Sequence, residues 1–418
     1  MTATRATLNG MVNPSGTSAT YHFDWGPTTG YGNRTTESGP VTGLSAIAVA
    51  ATISGLAPAA TYHFRLVATS CGGCARGTSY GADAALTTSG YQNPVYSPAA
   101  APDPFVLDNH ALHSDYWEFS TGDLFPILHS TDLVNWTSAG TAFATKPAWV
   151  LQSGDWHPWA PSLSELSTPC PGATSGPCYV MYYVGLSSRF NYSCVGVAVA
   201  PAPGGPYSDL GPLGPSNAAG VPIGCGDDTG MGNIDPSPFI DANGQAYLNV
   251  SNSNACAGGT CQRRPTISVI PLTADRLHAA GPRTALFSGD PGTWEGNGVS
   301  PPVVENPVAL LHNGTYYVLY SGGSYTGAYG MGYATAPAPT GPFTKAPANP
   351  ILAQTSTVYS PGGGDLPVTG PKGGTWMVYH GREGSSSAFR TLRIDPFSWN
   401  GDVPQISGPT GTPQSVTP

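Results

Sequence analysis

An all-β fold in two parts is predicted for this chain of 418 residues by three observations. Glycine and proline are dense, apolar residues alternate with polar ones in the first ninety positions, and an aromatic strand start recurs through the remainder. There are 55 Gly and 43 Pro. Long helices do not survive that density, because Pro lacks an amide donor and Gly loses more backbone entropy on folding. Charged residues make up only 9% of the chain, which excludes a coiled coil, and a 10% aromatic content argues against disorder. The length suits two or three domains.

The first part is read as residues 1–90, a β-sandwich. Ala6–Gly10, Tyr21–Trp25, Ile47–Ile53 and Thr61–Ala68 are short alternating runs separated by Gly, Pro, Ser and Thr. That is the period-two pattern of half-buried strands. The stretch from Gly55 to Phe64 (GLAPAATYHF) resembles the corner before strand F of fibronectin type III domains. There a Leu packs inward and a Tyr hydroxyl ties back to the backbone. The first part carries no cluster of chemistry-bearing residues beyond Cys71 and Cys74, so a spacer or carbohydrate-adjacent role is expected of it.

Residues 89–101 (SGYQNPVYSPAAA) read as a linker into a second domain over 91–418. Here VGVAVAPAPGGPY at 195–207 aligns without a gap to MGYATAPAPTGPF at 331–343. The offset suits two units of about 68 residues. Aromatic strand starts recur near Tyr116, Cys178, Gly244, Gly314 and Gly374. Four-stranded units that cannot bury their faces alone stack radially, so a five-bladed β-propeller is predicted. A long β-sandwich or β-solenoid is the competing architecture.

Net charge is −9 and only three of the fifteen bases are Lys. Nucleic acid requires a Lys/Arg footprint, and none is clustered here. No apolar run approaches the roughly 20 residues of a transmembrane helix. The opening MTATRATLNG lacks the apolar core of a signal peptide, so a secretion signal is expected to have been removed or replaced. The eight cysteines fall as local pairs, Cys71 with Cys74, Cys170 with Cys178 and Cys256 with Cys261, leaving Cys194 and Cys225. An even count in loop-rich surroundings predicts disulfides and a secreted or extracellular location. A zinc site would need a second CxxC or a His pair.

Three acidic residues sit in similar settings in three different units, each followed by Pro or Asn-Pro. They are Asp103, Asp235 and Glu305. Each lies beside an apolar stretch, where a carboxylate is costly to bury without a partner or a function. Their equivalence suggests convergence on the axis of the propeller. Glu295, in a Gly-rich loop, is the rival to Glu305. Asp227 and Asp228, in a Gly/Cys loop, are weaker rivals to Asp235.

These motifs resemble those of glycoside hydrolase family 43, a family with a five-bladed propeller catalytic domain. The likeness extends through STDLVNW (130–136), WAPS (159–162), IDPSPFIDANGQAYL (234–248), ENPVALLHNGTYYVLYSGG (305–323), Gly341-Pro342-Phe343 and WMVYHGR (376–382). It implies Asp103 as general base, Glu305 as general acid and Asp235 as the residue that sets the acid's proton affinity and orientation. It also implies inversion, with base and acid roughly 6.5–9.5 Å apart to admit a water. The expected activity is cleavage of α-L-arabinofuranosyl bonds in arabinan or arabinoxylan, so the partner is a plant cell-wall polysaccharide. A β-D-xylosidase and a propeller that binds carbohydrate without cutting it are the alternatives.

By the same resemblance His380 contacts a central calcium ion or its water shell; a His hydrogen-bonded in a packed core is the competing reading. Arg390 matches the place of an Arg near the sugar, or is a solvated surface residue. Trp159 and Phe119 could stack on a sugar face or serve as ordinary packing. Two departures stand out. Asn306 follows the acid where the family has a small residue, and a Gly-Pro-Gly-His type stretch appears as Ser360-Pro361-Gly362-Gly363-Gly364-Asp365, without the His.

Overall fold

The computed structural model describes residues 4–72, 75–109, 114–216, 220–226, 231–252 and 264–418. Among them the regular elements are strands, apart from the 3-10 turns Ile223–Cys225 and Trp294–Gly296. The chain divides into two units, residues 1–92 with 412–417, and residues 93–411 with Pro418. The boundary thus falls two residues beyond the one read from the sequence, and a short C-terminal segment rejoins the first unit. There Tyr91 and Gln414 exchange backbone hydrogen bonds of 3.1 and 2.8 Å.

In the first unit Arg5–Val12 pairs with Ile47–Ser54, and Ser18–Gly26 and Thr61–Gly72 lie at the centre of a six-stranded sheet. Alternation decides what these strands bury. Leu8, Phe23, Val49, Ile53 and Leu56 form the core, with Trp25, Tyr62 and Phe64 packed against it. Leu56 is buried and the Tyr62 hydroxyl accepts a hydrogen bond from Ala57 N at 3.0 Å.

The described residues of the second unit form five antiparallel sheets in chain order. Their first strands are Phe105–Asp108, Trp159–Leu166, Asn233–Ile240, Val304–His312 and Val358–Gly362. The second strands of the second and fourth sheets, Cys178–Leu186 and Thr315–Gly323, bury both faces, because both faces meet another sheet. Tyr179, Met181 and Tyr183 of Cys178–Leu186 pack with Phe119, Phe125 and Ile127 of the first sheet. The alternate residues Val180 and Tyr182 pack with Leu248 and Val250 of the third. Val304 and Val318 then join Ile267 of the third sheet to the fourth, and Tyr317 and Leu319 join Met377 and Tyr379 of the fifth. Each such side chain contributes roughly 1.5–3 kcal/mol by burial.

Polar bonds link the fifth sheet to the first. Tyr116 Oη donates to Thr369 O (2.7 Å), Val106 N to Asp365 Oδ2 (3.1 Å) and Asp103 N to His380 Nδ1 (3.1 Å). Among the described residues of the second unit two disulfides stand, Cys170–Cys178 and Cys194–Cys225. The expected pairs at Cys71/Cys74 and Cys256/Cys261, and the rivals Asp227 and Asp228, lie outside the described residues or side chains.

Candidate active site

Five X-Pro dipeptides prepare the site. Asp103, Ala160, Asp235, Asn306 and Ser360 each precede a Pro and each has positive φ, between 42° and 52°. In the last four sheets the strand register shifts at that place, between Trp159 and Ser162, Ile234 and Ser237, Glu305 and Val308, and Tyr359 and Gly362. These are β-bulges, which turn side chains that a regular strand would send to opposite faces. The left-handed conformation costs most at Ala160, since Asn and Asp tolerate it better.

This register corrects the equivalence drawn from the sequence. Asp103 and Asp235 occupy the same place in their sheets, but Glu305 stands one residue earlier, level with Trp159, Ile234 and Tyr359. The residue equivalent to the two aspartates is Asn306. Because the bulge presents consecutive residues to one side, both sets reach one pocket of about 340 Å³, lined by Asp103, Asp155, Trp159, Ile234, Asp235, Glu305, Asn306, Tyr325 and Arg390. The three carboxylates therefore meet, as expected, and Trp159 and Arg390 meet them.

Asp103 is held on three sides. Thr121 Oγ1 donates to its Oδ2 at 2.8 Å, Arg390 donates to Oδ1 at 2.9 Å, and its backbone N–H goes to His380. Asp235 accepts from Asn306 N at 3.0 Å. Burial, then the charges of Glu305 and Asp103, push the Asp235 carboxyl well above the usual range. Glu305 is pushed up to about 7, chiefly by burial and further by Asp103. The hydrogen bond from Tyr329 Oη to Glu305 Oε1 (2.7 Å) and the Arg390 charge work the other way. A carboxylic acid that keeps its proton near neutral pH thus faces a carboxylate salt-bridged to Arg390. That is the pair an acid/base displacement requires.

The aromatic expectations divide. Trp159 lines the pocket and is stacked on His157, ring centroids 3.9 Å apart and 10° from parallel. Phe119 does not serve as a sugar platform. It is fully buried, edge-on to Tyr207 at 6.0 Å, because its strand position turns it into the core between the first two sheets. Glu295 is also no acid here. It is buried, with Oε1 accepting from Tyr320 Oη (2.7 Å) and Oε2 from Lys345 Nζ (2.7 Å) and Asp290 N (2.6 Å).

His380 is fully buried, and its proton affinity falls well below the ordinary value through burial and the nearby Arg390 and Arg382. Since Nδ1 accepts from Asp103 N–H, the neutral ring carries its proton on Nε2, which has no hydrogen-bond partner among the described residues. An N–H donor has the wrong polarity to ligate a cation. The adjoining cavity, lined by Asp103, Asp235, Asp365 and neighbours, measures about 30 Å³, room for one or two waters rather than a hydrated ion. Among the described residues no three His, Cys, Asp or Glu side chains cluster to hold a metal. Direct coordination of calcium by His380 does not fit this arrangement.

Sequence reasoning missed Asp155, Tyr325, Thr121 and Tyr329. Asp155 stands four residues before Trp159 in an aromatic segment, which is a usable signal. Tyr325 and Tyr329 flank a hairpin turn and carry none.

Comparison with known proteins places this geometry. The model of the glycosyl hydrolases family 43 matches residues 91–404. The chain is 28% identical over 331 residues to a β-D-galactofuranosidase, xynD, of Aspergillus niger, covering 76% of this chain and 85% of that one. It is 26% identical over 324 residues to the extracellular exo-α-(1→5)-L-arabinofuranosidase ArbA of Cellvibrio japonicus, covering 70% and 83% respectively. Among solved structures, a thermostable family-43 glycoside hydrolase superposes with a TM-score of 0.64 at 26% identity, covering 78% of this chain and 98% of the other.

Proposed function

Since the chain belongs to the glycosyl hydrolases of family 43, we propose that it cleaves α-L-arabinofuranosyl linkages of plant polysaccharides with inversion, in a five-bladed propeller whose blades are the five sheets. The observation that carries this reading is the convergence of Asp103, Asp235 and Glu305 with Trp159 and Arg390 in one pocket. Glu305 donates its proton to the leaving oxygen as the glycosidic bond breaks. Asp103, oriented by Thr121 and Arg390, takes a proton from the water that attacks the opposite face of the sugar. Asp235 accepts from the Asn306 backbone N–H and so holds the strand that carries Glu305. Trp159 offers a stacking face to the sugar.

The choice of a furanoside rests on the relatives, one named for arabinofuranose and one for galactofuranose. The two disulfides suit a secreted enzyme. The first unit, with its Tyr62 corner, fits a fibronectin type III-like module that accompanies the catalytic unit.

A product panel tests the reading, using linear and branched arabinan, arabinoxylan, and aryl arabinofuranoside, galactofuranoside and xyloside. Arabinose or arabino-oligosaccharides are expected. Xylose alone or galactofuranose alone would replace the substrate assignment, and no product from any of them would sink the hydrolase reading.

A further inference from the structure

The fourth sheet breaks the pattern of its neighbours. Where the X-Pro positions of the first and third sheets carry the carboxylates of Asp103 and Asp235, this one carries the side-chain amide of Asn306. Its Oδ1 lies 2.9 Å from Tyr329 Oη, and the same hydroxyl lies 2.7 Å from Glu305 Oε1. Tyr329 has one proton to give and two acceptors in reach. Its ring cannot leave. It is almost fully buried, stacked against His380 with centroids 6.0 Å apart and 6° from parallel. On another side Gly362 comes so close that a Cβ there would stand 2.4 Å from the ring. Only the hydroxyl hydrogen is free to turn.

We propose that Asn306 is a positioning residue for the reaction read above, acting through Tyr329: its amide oxygen accepts the tyrosine hydrogen bond while Glu305 carries its own proton, and the hydroxyl turns to Glu305 once that proton has gone to the leaving group. The physical reason is the difference between the two acceptors. An amide oxygen is a better acceptor than either oxygen of a neutral carboxyl, whereas an ionised carboxylate receives a bond about twice as strong as a neutral group does. Asn306 therefore satisfies Tyr329 in the state where Glu305 is protonated, and Glu305 satisfies it in the state where it is not. Without the amide, only the ionised state keeps a good bond, and Glu305 loses its proton more readily. This rests on Glu305 being the acid.

The groups facing Glu305 are Asp103, Asp235, Tyr329 and Arg390, with Asp155 and Tyr325 in the same pocket and His380 behind Tyr329. The Asn306 variants leave all of these side chains chemically unchanged. The chain has six glutamates, so protein labelled with ¹³C at the glutamate carboxyl gives six signals, and the one absent from Glu305→Gln belongs to Glu305. Asn306→Gly is the variant of choice because glycine accepts the left-handed backbone found there; Asn306→Ala is the control for added flexibility. In both, the Glu305 midpoint is expected to fall by roughly half a unit to one unit, a three- to tenfold change in proton affinity. In Tyr329→Phe it is expected to rise, and adding Asn306→Gly to Tyr329→Phe should move it no further.

The alkaline limb of kcat/KM on the glycoside cleaved best in the product panel should follow the same order. An unchanged or raised midpoint in Asn306→Gly overturns the proposal. So does an equal shift with and without the Tyr329 hydroxyl, which would mark a merely structural effect. Because the titration needs no substrate, it decides the coupling even where the hydrolase reading fails.

Discussion

At the scale of single residues, the account depends on Glu305 holding a proton that an exposed glutamate would have lost. Its carboxyl is pushed up to about 7, chiefly because burial in the pocket wall disfavours the ionised form. The active form is the protonated one, so activity on unactivated glycosides should be sustained below that value and decline as pH rises through it, which a pH profile of kcat/KM checks. Glu305→Gln is expected to lower turnover by orders of magnitude on poor leaving groups and much less on activated aryl glycosides. Equal losses on both would count against Glu305 as the acid. Asp103 and Asp235 were legible in the sequence because an Asp-Pro beside an apolar run is a costly arrangement. Glu305 was legible as a residue but not in its frame, since a bulge adds one position that periodicity does not reveal. Phe119 misled for a related reason. Whether an aromatic faces a core or a pocket depends on which side of its strand it occupies, and both sides of that strand are buried.

At the scale of elements, the bulged first strands and the glycines that lie against them hold the site. Gly363 has φ +59°, and a Cβ there would lie 2.4 Å from His380 Cε1 and 3.0 Å from Asp103 Oδ1. Gly363→Ala is therefore expected to displace Asp103, costing at least tenfold in kcat/KM while the circular dichroism spectrum is retained. An unaltered kcat/KM would show that the Asp103–His380 contact is not needed. The five X-Pro pairs are readable in the chain, but only the backbone angles, with the strand register in four of the sheets, show that they are one structural position repeated. The disulfides follow local spacing in one case and a 31-residue separation in the other. Breaking both with a reductant is expected to lower the melting temperature by several degrees, each such cross-link being worth about 2–4 kcal/mol. An unchanged melting temperature would mean they add nothing to stability.

For the molecule as a whole, the alternation of apolar side chains gave the strands of the first unit, and the aromatic repeat gave the second strand of each sheet. What stayed hidden was the link between the last sheet and the first, which rests on single polar bonds such as Tyr116 to Thr369 and Val106 to Asp365. Those partners are some 250 residues apart and leave no pattern. Buried carboxyls also set a stability profile. Glu118 is fully buried, neither oxygen making a well-formed hydrogen bond among the described residues, and burial pushes it up to about 8 with only Ser120 opposing. Asp365 is pushed up to about 7 by the same cause. Each binds a proton more tightly folded than unfolded, so stability is greatest below the ordinary carboxylate range and falls as pH rises from about 4 to 8. Glu118→Gln should melt a few degrees above the parent at pH 9 and close to it at pH 5; an identical pair of curves at both would remove Glu118 from this account. The central claim, that Asp103 directs a water across the ring from Glu305, is tested most directly by proton NMR of the first product from an aryl α-L-arabinofuranoside. The account predicts β-arabinofuranose as the first-formed anomer, followed by mutarotation. The α anomer appearing first would contradict it.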